Sequence, residues 1–194
     1  MDPFLIPVQI IIIVIYIFRI PIANKISTPS NPYFTRFVVD IKFGVGKWWK
    51  TILLPILTIL VIYFLWIFYN AIWFHQFPIS PISDSISFYI MDSLILAPIT
   101  EEILQCFPLS CIFVLSTVLF KNKWKIAIVN LAGLLIISFI FLPAHSNLTP
   151  TIWFLRFFLF IIYGAMYYLN NRNLLPAVLS HSVWNLVTAY PFMY

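Results

Sequence analysis

The chain has 194 residues, of which 62% are hydrophobic and only 9% are charged, and its formal net charge is +5. Together with a mean hydropathy of +1.00, this composition excludes a soluble globular domain and is typical of a polytopic membrane protein. One membrane crossing takes about 20 residues, so the length accommodates six spans and no separate soluble domain.

Six apolar segments predict six transmembrane helices, over about residues 4–22, 51–74, 86–120, 124–143, 151–169 and 174–192. The first follows Met1-Asp2 without a basic leader or a small-residue cleavage site, so we expect a retained span rather than a signal peptide. The third is too long for one crossing, and we expect Pro98 to divide it into a short leading helix and a main helix.

Basic residues alternate between the predicted loops. They cluster in residues 19–50 and 121–125 and recur at Arg172, whereas residues 75–85 and 146–150 contain no Lys or Arg. The positive-inside rule therefore predicts three cytoplasmic loops and two outward-facing termini. Most of the positive charge lies within reach of lipid headgroups, so lipids are the expected partners and nucleic acid is not.

Two sequence features favour structural roles. Cys106 and Cys111 lie five positions apart in one predicted helix, which argues against a disulfide and favours packing. The loop over residues 24–50 contains Trp48 and Trp49 among its basic residues, and this pattern is typical of a segment on the membrane surface.

Ionisable side chains within the spans are the candidates for function, because each costs about 2.5–3.5 kcal/mol on insertion scales. The two glutamates follow Pro98 in a first helical turn, where unpaired amides and the helix dipole stabilise a carboxylate. Adjacent helical residues point about 100° apart, so one glutamate is expected to face a cavity and the other a neighbouring helix or cation. The candidates are Glu101, Glu102, His145 and His181, with Asn185 one turn after the last.

Two further motifs lie near the ends of later spans. Phe141 and His145 are about one turn apart, and Pro143 between them is expected to bend the backbone. His181 and Asn185 are spaced i, i+4, so they project from one helix face and suggest a shared ligand. Each motif alone also fits a structural role, such as a helix-end carboxylate, an interfacial histidine or an interhelical hydrogen bond.

Taken in order, Glu-Glu, Phe-x-x-x-His and His-x-x-x-Asn resemble the three motifs of the CPBP family, the CAAX protease and bacteriocin-processing (Abi) intramembrane proteases. The resemblance covers about residues 88–192, and residues 173–186 are very similar to the third motif with its lead-in. It implies an all-α membrane helix bundle with a polar active-site cavity between the last four helices. We accordingly divide the chain into N-terminal helices with a basic loop, 1–85, and a catalytic core, 86–194.

The resemblance implies an endopeptidase in which Glu101 and His145 activate a water molecule, while His181 and Asn185 stabilise the oxyanion. Amide hydrolysis needs such a base and such fixed donors. The family's first motif usually reads Glu-Glu-x-x-x-Arg, and this chain has Cys106 in place of the arginine. We hypothesise that Arg156 replaces it as the partner of Glu102.

Other functions stay open at this stage. Glu101, His145 and His181 are also residue types that ligate catalytic zinc, although no His-Glu-x-x-His helix is present and the resemblance favours catalysis without a cofactor. The Cys106 departure would also suit a non-catalytic bacteriocin-immunity or scaffold protein. A transporter would require paired broken helices and inverted halves, which the sequence does not display.

The expected substrate is a lipidated or hydrophobic peptide that enters laterally between apolar helices. The resemblance does not choose among trimming of prenylated CAAX proteins, processing of pheromone or bacteriocin leaders, and immunity. The expected location is the plasma membrane of a prokaryote, as a multi-pass protein.

Helix rise gives one geometric expectation. Glu101 and His145 lie about 30 Å from the basic loop at 121–125, whereas Asn185 lies only about 16 Å from Leu174. These groups can share one level only if the third and fourth helices extend beyond the cytoplasmic face.

Overall fold

The computed structural model describes residues 5–26, 43–73, 90–142 and 150–189. These ranges contain six α-helices and no β-strand, which confirms the predicted all-α bundle. The helices are α1 (Leu5–Ile26), α2 (Leu54–Trp73), α3 (Ala97–Leu119), α4 (Lys123–Phe141), α5 (Pro150–Leu169) and α6 (Leu174–Ala189).

Four described helical stretches are long and apolar enough to cross a membrane. They are Trp49–Tyr69, Ile90–Leu119, Lys123–Phe141 and Ile152–Leu169. The first and last predicted spans contain shorter apolar helical stretches, Ile6–Phe18 and Leu174–Thr188. Helix α6 has 16 residues, fewer than the roughly 20 that a full crossing takes.

Two helices begin with a π-helical segment. Trp49–Leu53 leads into α2, and Ile90–Leu96 leads into α3. The expected division of the third span at Pro98 is therefore a change of winding at Ala97 and not a break between two helices. Pro98 lies in the first turn of the α-helical part, and because it has no N–H it leaves one carbonyl of the preceding π-helical turn without an intrahelical donor.

The turn between α5 and α6 is tight because of two left-handed residues, Asn171 (φ 56°) and Arg172 (φ 60°). The Asn173 side chain then accepts a hydrogen bond from the Leu175 N–H at the start of α6. It also exchanges two hydrogen bonds with the backbone of Gly44, which joins the segment before α2 to this turn. With Lys121, Lys123 and Lys125, this turn forms what we call the basic end of the bundle.

Helices α3, α4, α5 and α6 form the core, each packed against the next, with α6 closing against α3. Helix α1 packs on α3, and α2 packs on α6. The buried core comes mainly from the inner faces of three helices, and it includes Cys106, Leu109 and Phe113 of α3, Phe160, Tyr163 and Tyr167 of α5, and Leu174 and Ala177 of α6.

Glu102 of α3 contacts His181 of α6, as described below, and this contact tests the depth argument. From it, α3 continues from residue 102 to Leu119, about 26 Å, whereas α6 reaches back from residue 181 to Leu174, about 10 Å. At the basic end, α3 therefore extends further from this contact than α6 does. This agrees with the expected extension of the third helix beyond the cytoplasmic face.

Gly164 allows α5 to approach its neighbours closely. A Cβ atom there would lie 2.4 Å from Leu134 Cδ1 and 3.1 Å from Leu109 Cδ1. We therefore expect Gly164→Val to lower the free energy of unfolding by about 1–3 kcal/mol through overpacking. Gly44, with no atom within 4 Å of the added Cβ, gives the control Gly44→Val. Equal thermal unfolding of the two variants in lipid would contradict this prediction.

Candidate active site

The site begins in the first turns of α3, where two adjacent glutamates take different environments. The Glu102 side chain is completely buried, whereas the Glu101 side chain is 31% exposed. Adjacent helical positions point about 100° apart, so only one of the two can face the bundle interior. The expected division of the pair into an inward and an outward carboxylate is therefore present.

His181 of α6 lies between the two carboxylates. Its Nδ1 is 2.9 Å from Glu102 Oε1, and its Nε2 is 3.8 Å from Glu101 Oε2. When Glu102 is ionised its carboxylate can only accept, so in that state the His181 Nδ1–H donates to it and Nε2 faces Glu101. This arrangement orients the imidazole with one buried carboxylate and directs its other nitrogen toward a half-exposed one.

Tyr163 of α5 fixes the plane of the same imidazole. Its ring stacks on His181 with centroids 4.9 Å apart and an interplanar angle of 13°. Sequence reasoning missed this residue, because tyrosine is an ordinary component of apolar spans. The signal that could have found it is its i, i+7 spacing from Arg156, which places both residues on one face of α5.

Asn185 and Ser182 of α6 bind the π-helical segment before α3. The Asn185 amide donates to the Ser93 carbonyl at 2.7 Å, and the Ser182 hydroxyl donates to the Leu94 carbonyl at 2.8 Å. On the same segment, Asp92 accepts a hydrogen bond from Gln9 of α1 at 2.9 Å. His181 and Asn185 therefore have different partners. His181 contacts the glutamates, whereas Asn185 contacts the backbone of the π-helical segment.

Arg156 of α5 was the expected partner of Glu102. Glu102 is hydrogen-bonded to His181, and the Arg156 guanidinium interacts electrostatically with Glu101 and Tyr163. The role of Arg156 as a partner of Glu102 stays a prediction. Arg156 contributes positive charge on the half-exposed side of the site.

Comparison with known proteins decides the family. A family model described as "Type II CAAX prenyl endopeptidase Rce1-like" matches residues 83–187, more than half of the chain. The chain belongs to the Rce1-like family. No curated protein and no solved structure matches it. Membership confirms the CPBP resemblance and, with the four apolar helices, identifies an integral membrane protein with the fold of intramembrane CAAX-type proteases.

The second motif of this Rce1-like chain begins at the last residue of α4. Phe141 is half-buried, and its ring meets that of Phe160 edge-on at 6.2 Å. His145 lies outside the described residues, so its place beside Glu101 stays a prediction. The proposed division of the chain at residue 85 also stays a prediction, although the family match begins close by.

Metal ligation was an open alternative for the Rce1-like site. Within residues 5–26, 43–73, 90–142 and 150–189, no three His, Cys, Asp or Glu side chains form a metal-binding group. Two of the three candidate zinc ligands, Glu101 and His181, are 3.8 Å apart. The third, His145, lies outside the described part, so a zinc site stays an alternative.

Proposed function

We propose that this chain is an intramembrane endopeptidase that hydrolyses a peptide bond of a lipidated or hydrophobic membrane-associated peptide. The observation that supports this function best is the position of His181, held by buried Glu102 at one ring nitrogen and facing half-exposed Glu101 with the other. A reactive carboxylate beside an oriented imidazole is the constellation that general acid–base hydrolysis requires.

Glu101, assisted by His145, takes the role of general base in this proposal. It accepts a proton from water as the water oxygen bonds to the peptide carbonyl carbon, and the carbonyl oxygen becomes an oxyanion. The proton then passes to the departing amine as the C–N bond breaks. Glu101 suits this role better than Glu102, because its side chain is accessible while that of Glu102 is not.

His181 and Asn185 take the role of stabilising the oxyanion. Fixed donors lower the barrier because they need no reorganisation when charge develops. The stack with Tyr163 and the bond to Glu102 hold the imidazole, and the bond to Ser93 holds the Asn185 side chain. The donors of this Rce1-like site are thus held by contacts from α3, α5 and the π-helical segment.

The surroundings of the site support the proposed substrate class. Leu104 and Phe107, about one and two turns from the glutamates on α3, are apolar residues that are about half exposed. In a membrane protein such a surface contacts lipid chains, so an apolar or lipid-anchored peptide would reach the site along the membrane plane. A prokaryotic plasma membrane is the proposed location.

The test is cleavage by the purified chain in lipid nanodiscs, offered a pool of prenylated, acylated and hydrophobic leader peptides. We expect chelator-resistant cleavage, with one atom of ¹⁸O from labelled water in the new carboxyl group. Cleavage that a chelator stops and zinc restores would favour the zinc-dependent protease. No cleavage of any peptide by the folded chain would contradict the proposal.

One observation favours a second candidate, a non-catalytic immunity or scaffold protein of the same fold. The arginine of the family's first motif is replaced by Cys106, a completely buried thiol that supplies no cation near Glu102. A scaffold would keep its binding function when Glu101 is replaced, whereas a protease would lose turnover. Protection of cells against a bacteriocin by a Glu101→Gln chain would support this candidate.

A prediction about Tyr163 tests whether the stack acts on the reaction. An aromatic pair of this kind is worth about 0.5–1.5 kcal/mol, so Tyr163→Leu is expected to lower kcat up to about tenfold at unchanged KM. Tyr163→Phe keeps the stacked ring and should retain most of the rate. If the two variants lost activity equally, the ring stack would not be the feature that positions His181.

A further inference from the structure

A second group of buried polar side chains extends from the active site toward the basic end of the bundle. Glu102, Cys106 and Ser110 are spaced i, i+4, i+8 and therefore share one face of α3. Tyr167 of α5 lies opposite, one turn after Tyr163, and its ring stacks near Phe113 with centroids 6.4 Å apart. Each of Cys106, Ser110 and Tyr167 has no exposed surface.

These side chains form a continuous series. Cys106 lies one turn after Glu102 and one turn before Ser110 on this face of α3, and all three side chains are completely buried. Tyr167 neighbours Ser110 and lies in the last turn of α5, just before the turn that leads into α6. The series therefore connects the carboxylate that holds His181 with the turn at the basic end.

Several polar atoms along this series lack a protein partner. Glu102 Oε2 is buried and makes no hydrogen bond within the described part of the chain, and the buried hydroxyls of Ser110 and Tyr167 have no partner there beyond each other. Within the same residues, Gln105 Oε1 on α3 is also buried without a hydrogen bond. Burying one such atom without a hydrogen-bond partner costs about 1–3 kcal/mol, and buried water is the usual partner of such atoms.

We propose that Cys106, Ser110 and Tyr167 line a narrow hydrated path that joins the Glu102–His181 pair to the basic end of the bundle. Hydration of the path is independent of catalysis. Its use as the route that supplies hydrolytic water to a site within the membrane rests on the proposed function.

The two cysteines of the chain provide a direct measurement, since Cys106 is the only thiol once Cys111 is replaced by serine. The S–H stretching band moves to lower frequency when deuterium replaces the proton, so infrared spectroscopy in D₂O reports access of water to Cys106. In Cys111→Ser nanodiscs we expect this band to exchange at least about tenfold faster than core helical amides, whose exchange requires local opening.

A matched thiol at a similar depth provides the control. Leu104 lies two residues from Cys106 on α3 and is 45% exposed on the outer surface. In a Cys106→Ala/Cys111→Ser background, the thiol of Leu104→Cys faces hydrocarbon and should exchange slowly. Exchange of Cys106 as slow as that of this control, or as slow as the core amides, would overturn the proposal.

A variant that fills the path with an apolar side chain allows a second, independent measurement. In Cys111→Ser chains, Ser110→Val adds apolar volume where the path passes Tyr167, and it should slow exchange of the Cys106 thiol. Unchanged exchange in a folded Ser110→Val chain would overturn the path as drawn. These readouts need no substrate, so they stand even if no peptide is cleaved. If the chain cleaves a peptide, slower exchange of the Cys106 thiol in Ser110→Val without any loss of kcat would overturn only the proposal that the path supplies hydrolytic water.

Discussion

Glu101→Gln is expected to abolish almost all peptide cleavage while leaving the fold intact. The substitution preserves the size of the side chain and removes its ability to accept a proton from water. General acid–base catalysis contributes about 10² to 10⁴ in rate, so we expect kcat to fall by a factor in that range. Because the Glu101 side chain is half-exposed and Glu102 holds His181, the helix contacts should persist.

Asp92→Asn is the matched control for this substitution. It is also a carboxylate-to-amide change at the start of the α3 region, and its side-chain oxygen still accepts the hydrogen bond from Gln9. We expect nearly unchanged cleavage in this variant. Equal activity of Glu101→Gln and the unmodified chain would exclude Glu101 as the base, and equal loss in both variants would indicate a nonspecific effect of charge at this end of α3.

The fold was predictable because the apolar runs are long and bounded by charges or turn residues. The four spans of the described chain lie close to the predicted ones, and α3 starts where Pro98 and the glutamates placed it. The change from π-helical to α-helical winding before α3 was not predictable. The π-helical segment Ile90–Leu96 shifts which backbone carbonyls are available, and this determines the contacts of Ser182 and Asn185.

The candidate site was predictable only in part. Motif order indicated that the glutamates and His181 belong together, but spacing along the chain does not report which helix faces meet. The stacking of Tyr163 on His181 was therefore missed, and the partner of Arg156 stays a prediction. The contact between Gln9 and Asp92 spans 83 positions, and nothing local in either helix predicts it.

The largest expected effect on stability comes from the Glu102–His181 pair. His181→Leu would leave the Glu102 carboxylate completely buried without its hydrogen-bond donor. Removing one partner of a buried pair typically costs about 3–5 kcal/mol, because an uncompensated charge remains. Glu102→Leu is expected to cost less, about 1–3 kcal/mol, because it leaves one ring nitrogen of a neutral imidazole without a partner.

The double variant Glu102→Leu/His181→Leu separates stability from function. Replacing both partners of a buried hydrogen bond by apolar side chains of similar shape can be nearly neutral or stabilising, so we expect the double variant to unfold at about the same temperature as the unmodified chain, above both single variants. All three variants should be inactive, because none positions the imidazole beside Glu101. Additive losses of stability in the double variant would mean that the pair is not coupled. The expected non-additivity would mean that this Rce1-like chain keeps a costly buried carboxylate for its effect on His181.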